Sequence, residues 1–446
     1  MKRILTIAGS DTGGGAGVQA DLKTIAMLGE HGMSVITALT AQNSLGVQSV
    51  YPVPLPSIEA QIDAVLSDMG ADGAKTGMLW DGEAVRLVST KLAQYRVEKL
   101  VVDPVMVAKD GSLLLNEHGQ EALKKELLPR ALLVTPNIPE AAALTGLEVK
   151  TVEGMKEAAR SIRRLGAEAV LVKGGHLEGD PVDVLFDGSG FTEYSSERAG
   201  VEAHGTGCVL SAAIATELAK GASLQEAVRR GRWLTLLSIK AASAVGKGRK
   251  FSNPQVYLAR EGERYEVIRA LREAFATLKG EEGIGGLIPE VSSNLGYALP
   301  LAHDKGDVAA FPGRIIRLRD TIAAAEAPEF GISQHIASIV LTVMRHDSSF
   351  RSAMNIRLSP PILQACRERG MRILGFDRGE EPQEVGEEEG RSLAWGVQKV
   401  LTGAGEVPDG IYDEGGWGKE PMIRILGRDP GEVARKVIEI NRSLKG

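Results

Sequence analysis

Cysteine is nearly absent: the 446 residues hold two, Cys208 and Cys366. That count excludes a disulfide framework and a cysteine-rich zinc site. Long apolar runs are missing too. Residues 1–9 are largely apolar but read as a first strand entering a glycine turn, too short for the core and cleavage region of a signal peptide. No segment approaches a membrane span, so a cytoplasmic protein with no membrane partner is expected. Positive charge is not in excess either. The net charge of -6 argues against a nucleic-acid surface, and nucleic acid is not an expected partner. A Walker A loop is lacking, since Gly70-Ala71-Asp72-Gly73-Ala74-Lys75-Thr76-Gly77 has no second glycine in the required place. Gly13-Gly14-Gly15-Ala16-Gly17 does not fit the dinucleotide fingerprint, and no internal repeat is present.

What is there is a chain too long for one ordinary core, so two or three domains are expected. From residue 2 to about 244, short β-branched runs at 34–41, 99–105, 132–135 and 169–173 alternate with helical patterns at 57–69, 83–93 and 151–165. Such alternation predicts an α/β fold with a mainly parallel sheet flanked by helices on both faces. Residues 183–194, with Asp187-Gly188-Ser189-Gly190 at their middle, predict a β-hairpin. The Gly/Lys/Pro-rich residues 245–254 read as a linker or a frayed helix end. A second α/β series follows, with helices at 257–278, 333–346, 362–369, 392–402 and 430–444 and strands at 308–311, 352–356, 372–376 and 422–426. The boundary is placed between residues 258 and 259. The acidic run 380–389 reads as a solvated loop.

In the first half, Ala203-His204-Gly205-Thr206-Gly207-Cys208 runs straight into an apolar-periodic helix at 209–220. A small-residue turn opening a helix leaves its first backbone N–H groups unpaired, which makes an anion site at Gly205, Thr206 and Gly207. Cys208 falls in the first turn, where the helix field lowers a thiol's pKa; the alternative is a small buried cysteine after a glycine turn. Asp103, Asn137 with Glu140, and Lys173 each follow a predicted strand, at the end where α/β sheets hold ligands. Two carboxylates and an amide suit a magnesium ion near Asp103 and Glu140, and Lys173 suits phosphate oxygens of ATP. Singly, each is as well explained as a cap or surface residue, Asn137 as the N-cap of the next helix. Converging on one rim, they indicate phosphoryl transfer.

Gly9-Ser10-Asp11, Gly14-Gly15-Ala16-Gly17-Val18-Gln19-Ala20-Asp21, Thr37-Ala38-Leu39-Thr40-Ala41-Gln42-Asn43, Lys75-Thr76-Gly77-Met78-Leu79, Asp103-Pro104-Val105-Met106, Val172-Lys173-Gly174-Gly175-His176 and His204-Gly205-Thr206-Gly207-Cys208 stand in order over the first half. Together they resemble the hydroxymethylpyrimidine (phosphate) kinases of thiamine biosynthesis, within the ribokinase-like fold. One departure is Thr12-Gly13, where the family has a Pro-Ser pair. The resemblance implies magnesium-dependent use of ATP and an aminopyrimidine substrate contacted by Gly9, Asp21, Gln42 and Met78. Gln42 can accept and donate at once to the ring's polar edge. Met78 offers either a soft ring surface or plain core packing. Cys208 takes the catalytic position beside the hydroxymethyl or phosphate oxygen.

The second half carries Gly313-Arg314-Ile315-Ile316-Arg317-Leu318-Arg319 and Arg351-Ser352-Ala353-Met354-Asn355-Ile356-Arg357. Alternate residues of a strand share a face. Arg317 with Arg319, and Arg351 with Asn355 and Arg357, would then line one cleft and grip phosphate or pyrophosphate with forked donors. A solvated basic edge strand is the plainer alternative. His335 opens a helix and reads as a phosphate donor or a helix-terminal histidine. With Pro312-Gly313-Arg314-Ile315, Ser333-Gln334-His335-Ile336-Ala337-Ser338 and Gly415-Gly416-Trp417-Gly418-Lys419-Glu420-Pro421, this half resembles the archaeal-type thiamine phosphate synthase domain. That resemblance implies catalysis by Arg314 and His335, with Arg317, Arg319, Arg351, Asn355, Arg357 and Lys419 holding diphosphate and phosphate.

The combined expectation is a bifunctional transferase, with 1–258 a pyrimidine (phosphate) kinase and 259–446 joining the pyrimidine diphosphate to a thiazole phosphate. Two alternatives stand beside it. The second domain could sense thiamine phosphate without catalysis, or the first could phosphorylate pyridoxal. A homo-oligomer is expected.

Overall fold

The computed structural model describes residues 1–107, 114–380, 391–416 and 419–445, and the chain divides into two compact units, Met1–Leu258 and Ala259–Gly446. The first is built on β1 (Arg3–Asp11), β2 (His31–Asn43), β3 (Gly46–Pro52), β4 (Gly73–Thr76), β5 (Leu100–Val102), β6 (Leu133–Val134), β7 (Ala169–Val172), β8 (Val182–Phe186) and β9 (Phe191–Ser195). They form one sheet in the order β3-β2-β1-β4-β5-β6-β7-β8-β9. The run from β2 to β7 is parallel, and β3 and the β8–β9 hairpin add antiparallel edges.

Side-chain alternation explains why both faces are covered. Leu5, Ile7, Leu100, Val102 and Val134 enter one core. Ile4, Val101, Leu133 and Leu171 enter another, shared with Leu210, Ile214 and Leu218 of the helix Thr206–Lys220. That helix approaches closely because β4 begins with glycine: a Cβ on Gly73 would lie 3.1 Å from the Ala219 Cβ. Its N-terminus thereby reaches the carboxyl ends of the parallel strands.

Residues 245–254 are not a linker. β10 (Ala203–His204) pairs with β11 (Lys250–Phe251), and the Gly248 and Arg249 amides donate to Ser44 Oγ and Ser44 O at 3.1 and 2.9 Å. The glycines there mark close approach, since a Cβ on Gly248 would sit 2.2 Å from the Ser44 carbonyl oxygen.

The second unit holds β12 (Leu295–Ala298), β13 (Val308–Ala310), β14 (Ile315–Leu318), β15 (Thr321–Ala324), β16 (Glu329–Phe330), β17 (Ser352–Arg357), β18 (Ile373–Gly375), β19 (Gly410–Asp413) and β20 (Met422–Gly427). Seven of these make a sheet in the order β16-β13-β12-β17-β20-β19-β18, while β14 and β15 form a separate hairpin. Only β18 and β19 pair in parallel within the seven. Strand–helix alternation here therefore accompanies a mainly antiparallel sheet. Helices Val256–Gly280 and Pro430–Ser443 pack on one face, and Gln334–His346 on the other. Residues 381–389 of the acidic run lie outside the described residues. No described helix is long and apolar enough to cross a membrane.

Candidate functional site

The first unit gathers most of its predicted residues around the turn at Gly205. Gly205 caps the helix with φ +84°, and a Cβ there would lie 1.7 Å from the Gly15 carbonyl oxygen. Gly17 has φ +57°, with a would-be Cβ 2.2 Å from the Gly9 carbonyl oxygen. Only glycine fits at both positions, so the 9–17 loop and the helix N-terminus lock together. Asp11 holds the loop's shape: its carboxylate accepts from the amides of Gly13, Gly15 and Ala16 at 2.8, 3.0 and 2.7 Å. Thr206, Gly207 and Cys208 are the first three helical residues, the position whose N–H groups lack intrahelical partners.

Cys208 is half-buried. The expected lowering of its pKa does not hold. Burial pushes the thiol up to about 11, the Asp21 and Asp103 carboxylates adding to the rise and Lys75 opposing it. Desolvation outweighs the helix field here.

Asp21, expected to face a pyrimidine, lies fully buried below the loop. Its Oδ2 accepts from Thr6 Oγ1 at 2.6 Å and from Lys75 Nζ at 2.8 Å, while Oδ1 has no hydrogen-bond partner. Lys75 is also fully buried. Burial alone would lower its pKa, but Asp21, Cys208 and Asp103 hold it well above the ordinary lysine range. Gly77 leaves room for this ammonium: a Cβ there would come within 2.9 Å of Lys75 Nζ.

A second charged group meets the helix N-terminus from the other side. A Cβ on Gly207 would lie 3.4 Å from Lys173 Nζ and 3.5 Å from Asp103 Oδ2. Lys173 Nζ donates to Asp103 Oδ1 at 2.9 Å and stands 4.0 Å from Glu140 Oε2. Thr135 Oγ1 and Ser211 Oγ also reach the Asp103 carboxylate, at 3.2 and 3.4 Å. Burial would raise Asp103, yet Lys173 and Lys75 hold it below its ordinary value. Burial and Asp103 push Glu140 up to about 7 against Lys173. Asn137 is the N-cap of Ile138–Thr145 in a full capping box with Glu140, so the cap reading describes its contacts. Among the described residues no three His, Cys, Asp or Glu side chains cluster to hold a metal. Asp103 and Glu140 nevertheless fit a magnesium ion held mostly through water, which needs one or two carboxylates.

The pyrimidine candidates split. A Cβ on Gly9 would lie 3.0 Å from Met78 Sδ, so these two meet, and Met78 packs with Ala38 and Leu114 in a small apolar cluster. Gln42 approaches the Gly205 turn instead through its side chain: its Nε2 is 2.7 Å from His204 Nε2. Sequence reasoning missed His204 as a side chain, Lys75, and Phe251. The Phe251 ring lies 5.6 Å from that of His204, and a Cβ on Gly15 would come within 2.9 Å of it. Ser252 Oγ donates to the His204 carbonyl oxygen at 2.8 Å. An aromatic residue inside a glycine-rich stretch was the available signal for Phe251.

In the second unit the basic residues do not form one cleft by strand alternation. β14 ends at Leu318, paired with Thr321, and Arg319 sits in the hairpin turn with φ +57°. Arg317 and Arg319 therefore do not share a strand face, and Arg317 Nε donates to the Arg319 carbonyl oxygen at 2.9 Å. Arg351 is committed to the Ala298 carbonyl oxygen, at 3.0 and 2.8 Å, and lies over the Tyr297 ring. Arg357 ends β17 on the surface. One segment does draw several candidates together. Arg314 Nη1 donates to the Val291 carbonyl oxygen at 2.6 Å, and Asn355 Nδ2 to that of Ser292 at 3.1 Å. Glu420, next to the exposed Lys419, accepts from the amides of Glu290 and Val291 at 3.0 Å each. Arg314 and Ser292 both have positive φ, +70° and +73°, a cost found where surrounding structure imposes it. The helix bearing His335 does not pack beside β14. Its Ile336 and Val340 enter the core on one sheet face, and Ile315 the core on the other.

Comparisons with known proteins agree with this division. Residues 11–253 match the model of phosphomethylpyrimidine kinase, and residues 270–439 that of thiamine-phosphate synthase ThiN. The thiamine biosynthesis bifunctional protein ThiED of Geobacter sulfurreducens is 51% identical over 247 residues, 55% of this chain and 50% of that protein. The chain thus matches half the length of that relative. The hydroxymethylpyrimidine/phosphomethylpyrimidine kinase of Bacillus subtilis is 42% identical over 249 residues, 55% of this chain and 92% of that one. Among solved structures, an ADP complex of Bacillus subtilis pyridoxal kinase superposes with TM-score 0.55 at 38% identity, covering 57% of this chain and 98% of that one. Staphylococcus aureus pyridoxal kinase with AMP-PCP gives TM-score 0.55 at 37% identity, over 58% and 95%.

Proposed function

Because the chain belongs, through residues 11–253, to the phosphomethylpyrimidine kinase family, we propose that its first unit phosphorylates hydroxymethylpyrimidine and then its monophosphate with ATP. Its second unit, matching the thiamine-phosphate synthase model, joins the resulting diphosphate to a thiazole phosphate. The observation that carries the kinase reading is the convergence of Lys173 and Asp103 on Gly207 at the opening of the helix. The amides of Thr206, Gly207 and Cys208 and the Lys173 ammonium would face the charge that spreads over a phosphoryl group in transfer. Asp103 and Glu140 would hold magnesium, which neutralises phosphate charge when bound. Cys208, kept as a thiol, would hydrogen-bond the oxygen of the accepting hydroxymethyl group. Gly9 and Met78 would contact the ring, and Gln42 its polar edge.

The synthase step loses pyrophosphate from a benzylic-type carbon able to carry positive charge. It needs cations on the leaving group more than a base. Arg314, held by Val291, and Lys419, beside Glu420, would supply them on the shared 290–292 segment, with His335 acting from the opening of the helix Gln334–His346. We place the protein in the cytoplasm as a homo-oligomer.

The test is a coupled assay on the full chain given hydroxymethylpyrimidine, MgATP and thiazole phosphate. Thiamine phosphate is the expected product, and pyridoxal serves as the competing kinase substrate. Formation of pyridoxal phosphate in preference to the pyrimidine phosphates would overturn the kinase assignment. Accumulation of pyrimidine diphosphate with no thiamine phosphate would overturn the synthase assignment.

A further inference from the structure

His204 is placed as no backbone need requires. Its carbonyl oxygen already anchors the end of the unit, accepting from the Ser252 amide at 3.0 Å and from Ser252 Oγ. The side chain turns the other way, toward two polar groups that compete for one atom. Its Nε2 lies 2.7 Å from Gln42 Nε2 and 3.4 Å from Asp11 Oδ2. A donor needs Nε2 bare, whereas a carboxylate would draw a proton onto it.

The competition has a preferred outcome. Asp11 does not depend on His204 alone, since three backbone amides of the 13–16 loop donate to its carboxylate. Gln42 has no comparable second partner. Thr40 Oγ1 reaches Gln42 Oε1 only at 3.4 Å and already donates to the Ser10 carbonyl oxygen at 2.9 Å. His204 with its proton on Nδ1 accepts one Gln42 N–H. The other N–H and the Oε1 are left side by side as a donor–acceptor pair. An amide presenting that pair matches a ring nitrogen next to an amino group. Turned over, it matches a ring N–H next to a carbonyl.

We propose that His204 is a positioning residue that fixes which way the Gln42 amide faces, and so sets the preference for a ring bearing an amino group beside a ring nitrogen. Phe251 packs against the imidazole and limits its tilt. This inference rests on the reading of Gln42 as a ring contact.

The test uses the full chain and two probes, 4-amino-5-hydroxymethyl-2-methylpyrimidine and its 4-oxo analogue. For each, kcat and KM are measured together with the KM for ATP. His204→Leu should reduce the amino-over-oxo ratio of kcat/KM by about tenfold, mostly through the KM of the amino ring, because a polar site oriented wrongly leaves buried partners unpaired. The KM for ATP should move less than about twofold, which a collapsed turn would not allow. His204→Asn can either accept from or donate to Gln42 and should recover the ratio only in part. His204→Lys, which can only donate, should shift the preference toward the oxo ring, and keeps the test open if the leucine chain does not fold. An unchanged ratio in the leucine and lysine chains overturns the inference. Gln42→Leu separates the two ideas: if it leaves the ratio intact, Gln42 does not touch the ring and the underlying reading fails. If it removes the ratio while the His204 variants keep it, the inference alone is wrong.

Discussion

Around the Gly205 turn of the first unit, Asp11, Asp21, Lys75, Asp103 and Glu140 are all buried, and each has a named partner within the site. In the second unit Arg314, Arg317, Arg319, Arg357 and Lys419 are exposed, and the side-chain bonds shown for the first two reach single backbone carbonyls. The first arrangement builds a low-dielectric pocket whose charges are mutually fixed before any ligand arrives. The second leaves its cations at the surface, in water. Charge in the first region is therefore bound up with folding, whereas in the second it contributes little to folding.

The sharpest way to break that contrast is Lys75→Met. It strands the Asp21 carboxylate in a fully buried place, and one uncompensated buried charge costs about 3–5 kcal/mol. Kinase activity should vanish and the thermal transition of the first unit should fall by about 10 °C, while thiamine phosphate formation from supplied pyrimidine diphosphate continues. Lys75→Met with Asp21→Leu should restore the transition but not the activity. A single variant that melts like the parent would mean Asp21 is neutral without its partner.

Arg314→Ala should do the reverse. Turnover of the synthase should drop about a hundredfold or more, the scale of a lost charge-assisted contact to a leaving group. Melting and kinase turnover should stay at parental values, read by calorimetry and by ADP release. Equal losses in both activities would place Arg314 in folding, not catalysis.

Cys208→Ala sharpens the comparison inside the first unit. A loss of about ten- to a hundredfold in kinase kcat is expected for a positioned hydrogen-bonding group, with little change in melting. With the thiol pushed up to about 11, the thiolate fraction below that value grows tenfold per pH unit. A mechanism using the thiol predicts a flat kcat between about pH 8 and 9.5, above the range in which Glu140 ionises. A rise of close to tenfold per unit over that range would assign the step to the thiolate.

The smallest effect is expected at Arg319. In the turn of the β14–β15 hairpin it has left the strand face, so Arg319→Ala should change synthase kcat/KM less than about threefold, as a surface charge does. A loss as large as that of Arg314→Ala would bring the hairpin turn into the site.

The sequence carried much of the first site because its signals are local. A glycine turn before an apolar-periodic run marks the helix N-terminus, and polar residues after β-branched runs mark the strand ends at Asp103 and Lys173. The Lys75–Asp21 pair was not legible in spacing. It forms only because β1 and β4 lie side by side, with Thr6 opposite Lys75 in the ladder. Phe251 was hidden by composition, since glycines that permit close packing also look like those of a linker. Arg319 was misplaced because its hairpin turns at Arg319-Asp320, which lacks the usual glycine or asparagine signal. In the second unit, alternation of strand and helix located the elements but not the mostly antiparallel pairing, because direction depends on which strands neighbour in space.

The pairing of β10 with β11 also bears on the order in which the protein comes into being. Residues 9–17 leave the ribosome more than two hundred residues ahead of Phe251 and Ser252, which close over the His204–Gly205 turn. A nascent chain has the glycine loop long before it has that cover, and the helix Thr206–Lys220 only shortly before it. The cover of the glycine turn is consequently completed last within its unit, by contacts of high sequence separation. Chains halted shortly before residue 250 would carry the whole nine-stranded sheet and the helix Thr206–Lys220 and still lack the Phe251 and Ser252 cover of the turn.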